Sequence, residues 1–238
     1  MTVLTVSSPP IEPVYPSGDG EPVAETFDHL YALLITLEVL RQYLVGEQAT
    51  VLGNQYLYYA QGYPRLRTAP DVMVIFKVEP GGRDNYKIWE EGQVPSVIFE
   101  MTSASTRDQD QGFKRTLYEQ LGVQEYWQFD PKGEWIAEQL RGFRLQNTPE
   151  PTYAPITDGQ SQPLQLRLQA EGRLIGFYRL DTGEKLLIPE ELAIALRTEQ
   201  QRAETEYQRA ETERKRSKEL AAQLDRYRQL FGELPENQ

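Results

Sequence analysis

Two short apolar runs constrain the fold more than anything else in the chain. Asp71–Val78 (DVMVIFKV) and Ser96–Thr102 (SVIFEMT) are rich in β-branched and aromatic residues and lack the polar alternation of a half-solvated strand. Runs of this length and texture suit central strands covered on both faces. The polar segment between them, residues 79–95, holds Gly81-Gly82 and Gly92. It predicts a long hairpin connection between antiparallel neighbours.

The remaining elements fall around this pair. Residues 1–22 are rich in Pro, Ser and Gly and predict an extended lead-in. Phe27, Leu30, Leu33, Leu34, Leu37, Leu40 and Leu44 recur at three- and four-residue spacing, which predicts a helix over 25–45 that stops at Gly46. Strand texture occurs at 50–52 and 55–60. Thr106-x-x-Gln109 has the form of a capping box opening a helix that runs to Leu121, with Gly122 as its C-terminal cap. Further strands are expected at 123–130, 135–140, 143–145, 164–168 and 173–180, with a turn at Pro131-Lys132-Gly133. From Pro189 the texture changes. QRAETEY (201–207) is followed at once by QRAETER (208–214), and a helix over about 190–230 is expected. The seven-residue period is that of a coiled coil, but Ala203, Tyr207, Ala210 and Arg214 make a poor seam. A better stripe begins at Leu220 and continues through Leu224, Tyr227 and Phe231. The tail therefore reads as a solvated helix or as a weak dimerisation or docking helix.

Composition narrows the chemistry. There is no cysteine and one histidine, His29, so thiolate zinc sites, cysteine nucleophiles, multi-histidine metal sites and His-paired triads drop out. Any catalysis rests on carboxylates, lysine, hydroxyls and a hard metal. The net charge is −11, and since residues 201–238 are charge-balanced, residues 1–200 carry all of it. An acidic body is not the usual footprint of a nucleic-acid binder. No apolar run is long enough to span a membrane and no secretory signal is visible, so a cytoplasmic location is expected.

Polar residues at the ends of the two apolar runs are the candidate site. Asp71 opens the first, and Glu100 interrupts the second. A carboxylate within a doubly buried strand is costly unless a partner or a cation meets it. Two acids brought close on adjacent strands repel unless a cation lies between them, and Mg²⁺ suits carboxylate oxygens. Each residue also has a plain structural role open to it. Asp71 after Pro70 can cap a turn, Glu100 can pair with Lys114 or Arg115 without metal, and Lys114 can be a solvated helix residue.

Asp71, a hairpin and then Glu100 resemble the metal-binding plan of the PD-(D/E)xK nuclease superfamily. Residues 21–185 resemble more closely the Uma-type restriction endonucleases, a family abundant in cyanobacteria. The similarity is carried by APDVMVIF (69–76), VIFEMTSAST (97–106), FKRTLYEQLGV (113–123) and EYWQFDPKG (125–133). The resemblance implies a restriction-endonuclease-like α/β fold: a mixed central sheet flanked by helices over 23–187, here followed by a long C-terminal helix over 188–238. It implies Mg²⁺ (or Mn²⁺) held by Asp71 and Glu100, DNA as substrate, and a homodimer paired through the core domain. The chain departs from the pattern at Glu100-Met101-Thr102, where the superfamily's Glu-x-Lys has a lysine. In the Uma-type family a lysine on the following helix commonly takes that role, and Lys114 stands there, with Lys87 as rival. Glu25 is a further candidate acidic ligand, and His29 reads as structural or exposed. The function expected is metal-dependent hydrolysis of nucleic-acid phosphodiesters. The alternative is an inactive nuclease-fold scaffold that binds a protein partner through its C-terminal helix.

Overall fold

The computed structural model of the chain describes residues 13–20, 25–103 and 110–232. It consists of two compact units, one through Ile188 and one from Pro189 onward. In the first unit a helix α1 (Phe27–Tyr43) leads into strands β1 (Ala49–Gly53), β2 (Leu57–Tyr58), β3 (Arg67–Thr68), β4 (Val72–Phe76) and β5 (Tyr86–Lys87). A short helix α2 (Ile88–Glu91), strand β6 (Val97–Met101), a π-helical turn (Asp110–Lys114) and helix α3 (Arg115–Leu121) follow. Strands β7 (Glu125–Phe129), β8 (Leu140–Leu145), β9 (Tyr153–Ile156), β10 (Gln160–Ser161), β11 (Leu166–Glu171) and β12 (Leu174–Arg179) complete it.

The main sheet has six strands in the order β1-β4-β6-β7-β8-β9. All neighbours are antiparallel except β6 and β7, which are parallel and joined through α3. A parallel pair needs such a crossover, whereas the antiparallel β4–β6 pair is closed by the long 79–95 connection. Side chains alternate across the sheet. Val72, Val74, Val97, Phe99 and Trp127 pack with α1 and with Leu166, Leu168 and Phe177 of the small β10-β11-β12 sheet. Met73, Ile75, Ile98 and Tyr126 face Leu117 and Tyr118 of α3 and Leu57 and Tyr86 of the β3-β2-β5 sheet. Both faces are covered, which is why β4 and β6 are continuously apolar.

Three expectations need correction. The packed side of α1 is formed by His29, Ala32, Leu33, Ile35, Thr36, Val39 and Leu40. Phe27, Leu30 and Leu34 point to solvent. The buried run contains small and β-branched residues that a leucine pattern passes over. Second, 135–140 is not a strand, and pairing with β7 starts only at Leu140. The buried Asp130 carboxylate gathers the N–H groups of Lys132, Gly133, Trp135 and Ile136, winding that segment into a turn. Third, β3, β5, β9 and β10 are additional strands, and α2 is an additional helix within the 79–95 connection. The capping box at Thr106-x-x-Gln109 lies outside the described residues.

In the lead-in, residues 13–20 have no helix or strand, and Tyr15 packs edge-on to Tyr58, with ring centroids 5.1 Å apart. Among the described residues the second unit holds one helix, α4 (Pro189–Phe231), none of whose residues is buried.

Candidate functional site

Register places the first acidic pair. β4 and β6 match Val72 with Phe99, so one step outward sets Asp71 opposite Glu100. Opposed residues of an antiparallel pair share a face and an end of the sheet. Asp71 is anchored to the ladder itself, because its Oδ2 accepts the Met101 N–H at 2.6 Å.

Glu100 shares its face with Ile98 and has only 1% of its surface exposed. Its Oε1 accepts the Tyr118 hydroxyl at 2.7 Å and its Oε2 accepts the Lys114 ammonium at 2.8 Å. Tyr118 comes from α3, where it also packs against Tyr126 and approaches the Thr68 hydroxyl at 3.3 Å. Burial and the Glu100 charge push the Tyr118 phenol well above its ordinary pKa, so it stays a proton donor to the carboxylate. Lys114 is the last residue of the π-helical turn, a kind of local widening common at functional sites. Thr102 stands where Glu-x-Lys would place a lysine. Its hydroxyl is buried and makes no hydrogen bond.

Lys87 is engaged elsewhere, paired with Glu90 at 3.0 Å and lying over the Tyr15 ring. Arg115 lies over the Phe143 ring, 4.3 Å from its centroid. Of the two lysines, the structure brings Lys114 to Glu100.

A third group joins Asp71 from α1. Thr26 caps this helix by accepting the His29 N–H, which fixes its first turn beside the start of β4. His29 Nε2 lies 3.3 Å from Glu25 Oε2 and 3.4 Å from Asp71 Oδ1. These are ion-pair contacts and not aligned hydrogen bonds, so this buried nitrogen has no hydrogen-bond partner. Burial works against an imidazolium here. Contact with Asp71 and the charges of Asp71, Glu25 and Glu100 outweigh it, and the His29 pKa is raised. The Glu25 pKa is raised by burial, opposed by His29 and reinforced by Asp71. Sequence reasoning set His29 aside. The signal that could have found it is Glu25-x-x-x-His29, one turn apart at a helix start, which puts both on one face.

The donor set fits a divalent cation. Glu25, His29 and Asp71 each bring one donor atom within 4.8 Å of the others, and carboxylate oxygens with an orphaned imidazole nitrogen are ligand types such ions take. By contrast Glu125 is fully buried but saturated by Trp127, Arg144 and the Gln162 N–H, and is structural. A cavity of about 80 Å³, lined by Thr26, His29, Thr102, Ser103 and Asp130, adjoins this corner. A larger cleft of about 470 Å³ along β1 shares no residue with the site and has no carboxylate in its lining.

A family model named Uma2, described as "Putative restriction endonuclease", matches residues 15–173. Among solved structures, a nuclease of the DUF820 group from Anabaena variabilis, titled "putative", is similar at 15% identity with a TM-score of 0.41. That match covers 59% of this chain and 73% of the other. No curated protein matches.

Proposed function

This chain belongs to the Uma2 family, and from that premise we propose that it hydrolyses phosphodiester bonds of DNA with Mg²⁺ or Mn²⁺ held by Asp71 and Glu100. The observation that carries the reading is a buried Glu100 that draws in Lys114 from a different element, next to an Asp71 fixed by the sheet backbone. When bound, the ion supplies Lewis acidity toward a phosphoryl oxygen and a lower pKa for water. The protein's own groups do the positioning. Met101 N–H holds Asp71, and Tyr118 fixes the rotamer of Glu100. The Lys114 ammonium stands where it can neutralise charge building on the phosphoryl group. Water adds to phosphorus, the P–O bond to the leaving sugar breaks, and the leaving oxygen takes up a proton.

A second reading, an inactive scaffold with α4 as its binding element, is favoured by the net charge of −11 and by Thr102 in place of the lysine. Plasmid and single-stranded DNA cleavage, measured after stripping metal and restoring millimolar Mg²⁺ or Mn²⁺, separates the two. Wild-type protein should nick, and Asp71→Asn and Glu100→Gln should each lose about 10²-fold or more of the rate. Cleavage that survives both substitutions, or never occurs with any metal, defeats the nuclease reading.

A further inference from the structure

Two facts about His29 go together. It is the only histidine in the chain, and its Nε2 is sealed from water between two carboxylates with no hydrogen bond of its own. An unsatisfied polar nitrogen in such a place is normally costly. Its spacing from its neighbours is informative. Ligands about 2.1 Å from one ion stand about 3.0 Å apart at right angles and about 3.4 Å apart at tetrahedral angles. The two contacts are 3.3 and 3.4 Å, and all three donor atoms lie within 4.8 Å of one another. Helix geometry supplies Glu25 and His29 together, and the start of β4 supplies Asp71.

We propose that Glu25, His29 and Asp71 form a second cation site, which takes a first-row transition divalent ion in preference to Mg²⁺. The preference follows from the nitrogen. Imidazole suits Co²⁺, Ni²⁺ and Zn²⁺, whereas Mg²⁺ seeks oxygen ligands and keeps its waters. The inference rests on the proposed nuclease only through the shared Asp71, and its test reads metal binding and not DNA cleavage.

The experiment uses untagged, metal-free, full-length protein. Calorimetry and thermal melts are run with Co²⁺, Mn²⁺ and Mg²⁺ on wild type, His29→Gln and Glu25→Gln. Pulsed electron paramagnetic resonance of the Mn²⁺ form reads nitrogen coupling, which only one imidazole in this chain can give. Wild type should bind Co²⁺ more tightly than Mg²⁺ and show the coupling. Both variants should lose about tenfold or more of the Co²⁺ affinity with little change for Mg²⁺, and His29→Gln should abolish the coupling. Glu25→Gln leaves the buried imidazole in place, so it remains informative if His29→Gln folds poorly. Co²⁺ affinity unchanged in the variants, or no nitrogen coupling in wild type, overturns the site. If those results came with DNA cleavage that still depended on Asp71 and Glu100, the nuclease reading would stand without it. Selective Co²⁺ binding in a protein that never cleaves DNA would leave this site intact and remove the nuclease.

Discussion

Glu100 places a carboxylate almost wholly out of reach of water, and the Tyr118 hydroxyl and the Lys114 ammonium help make that tolerable. Moving a carboxylate into such a place costs several kcal/mol, which hydrogen bonds and an ion pair must offset. Lys114 is the ionic half of that compensation, and its side chain is 15% exposed. Lys114→Met would take the ammonium away from a buried carboxylate, so it should lower unfolding stability by about 3 kcal/mol at neutral pH without divalent ions. Adding Glu100→Gln should restore most of the loss, since a neutral amide no longer needs the ammonium. Urea unfolding of the wild type, two single variants and the double variant measures the coupling, and additive effects would mean the pair does not act as one unit. Much of this was legible in the chain. A glutamate between Phe99 and Met101 contradicts a doubly buried strand and so asks for a partner, and Lys114 lies on the next helix. His29 was not legible in the same way. A lone histidine has no pattern, and only the fold brings Asp71, 42 positions further along, to its ring.

At the scale of elements, a continuous apolar run recovers a strand wherever both faces of the sheet are covered, as in β4 and β6. It fails where the sheet thins. Strand β9 is an edge strand of four residues containing Pro155, and β10 has two polar residues. Neither offers an apolar run, and a proline is tolerated only at such an edge. The helix α1 was found, but its rotation was misjudged, because facing is decided by what the sheet can accept and not by the count of leucines. Strand β8 shows a demand that one residue places on its neighbour. Gly142 pairs with Trp127, and a Cβ at Gly142 would come within 2.7 Å of the indole ring. Trp127 is only 2% exposed and is held by its Nε1–H donating to Glu125 at 3.1 Å, so the ring cannot swing away cheaply. Gly142→Ala should therefore cost about 1–3 kcal/mol and shift the tryptophan emission. A variant as stable as the parent in thermal and urea unfolding would show that the indole can yield.

For the molecule as a whole, the first unit ends at Ile188 and the excess negative charge ends near residue 200. The body through Ile188 holds a net charge of −9 and both hydrophobic clusters, while the second unit carries −2 over residues 189–200 and is charge-balanced over 201–238, and its helix α4 has no buried residue. Exposed i,i+3 and i,i+4 pairs such as Glu211–Lys215 contribute at most a few tenths of a kcal/mol each. The helix beyond residue 200 therefore gains little from these pairs. Truncation after Gln200 should leave the melting temperature of the body nearly unchanged. Two exposed apolar surfaces are candidates for the contact of the expected homodimer. On α4, Leu220, Leu224, Tyr227 and Phe231 are exposed, and the last two rings lie 4.9 Å apart. On α1, Phe27, Leu30 and Leu34 are exposed, with Phe27 stacked on Tyr31. Exposed apolar patches of this kind mark contacts. The resemblance to Uma-type nucleases predicts a homodimer paired through the core domain, and the α1 patch is an exposed apolar surface of that domain expected to form the contact. Light scattering of full-length and truncated protein should give a dimer for both, with any larger species or protein partner lost on truncation. A truncated protein that is monomeric would transfer the dimer contact to α4, and one that melts well below the parent would show that α4 supports the body after all.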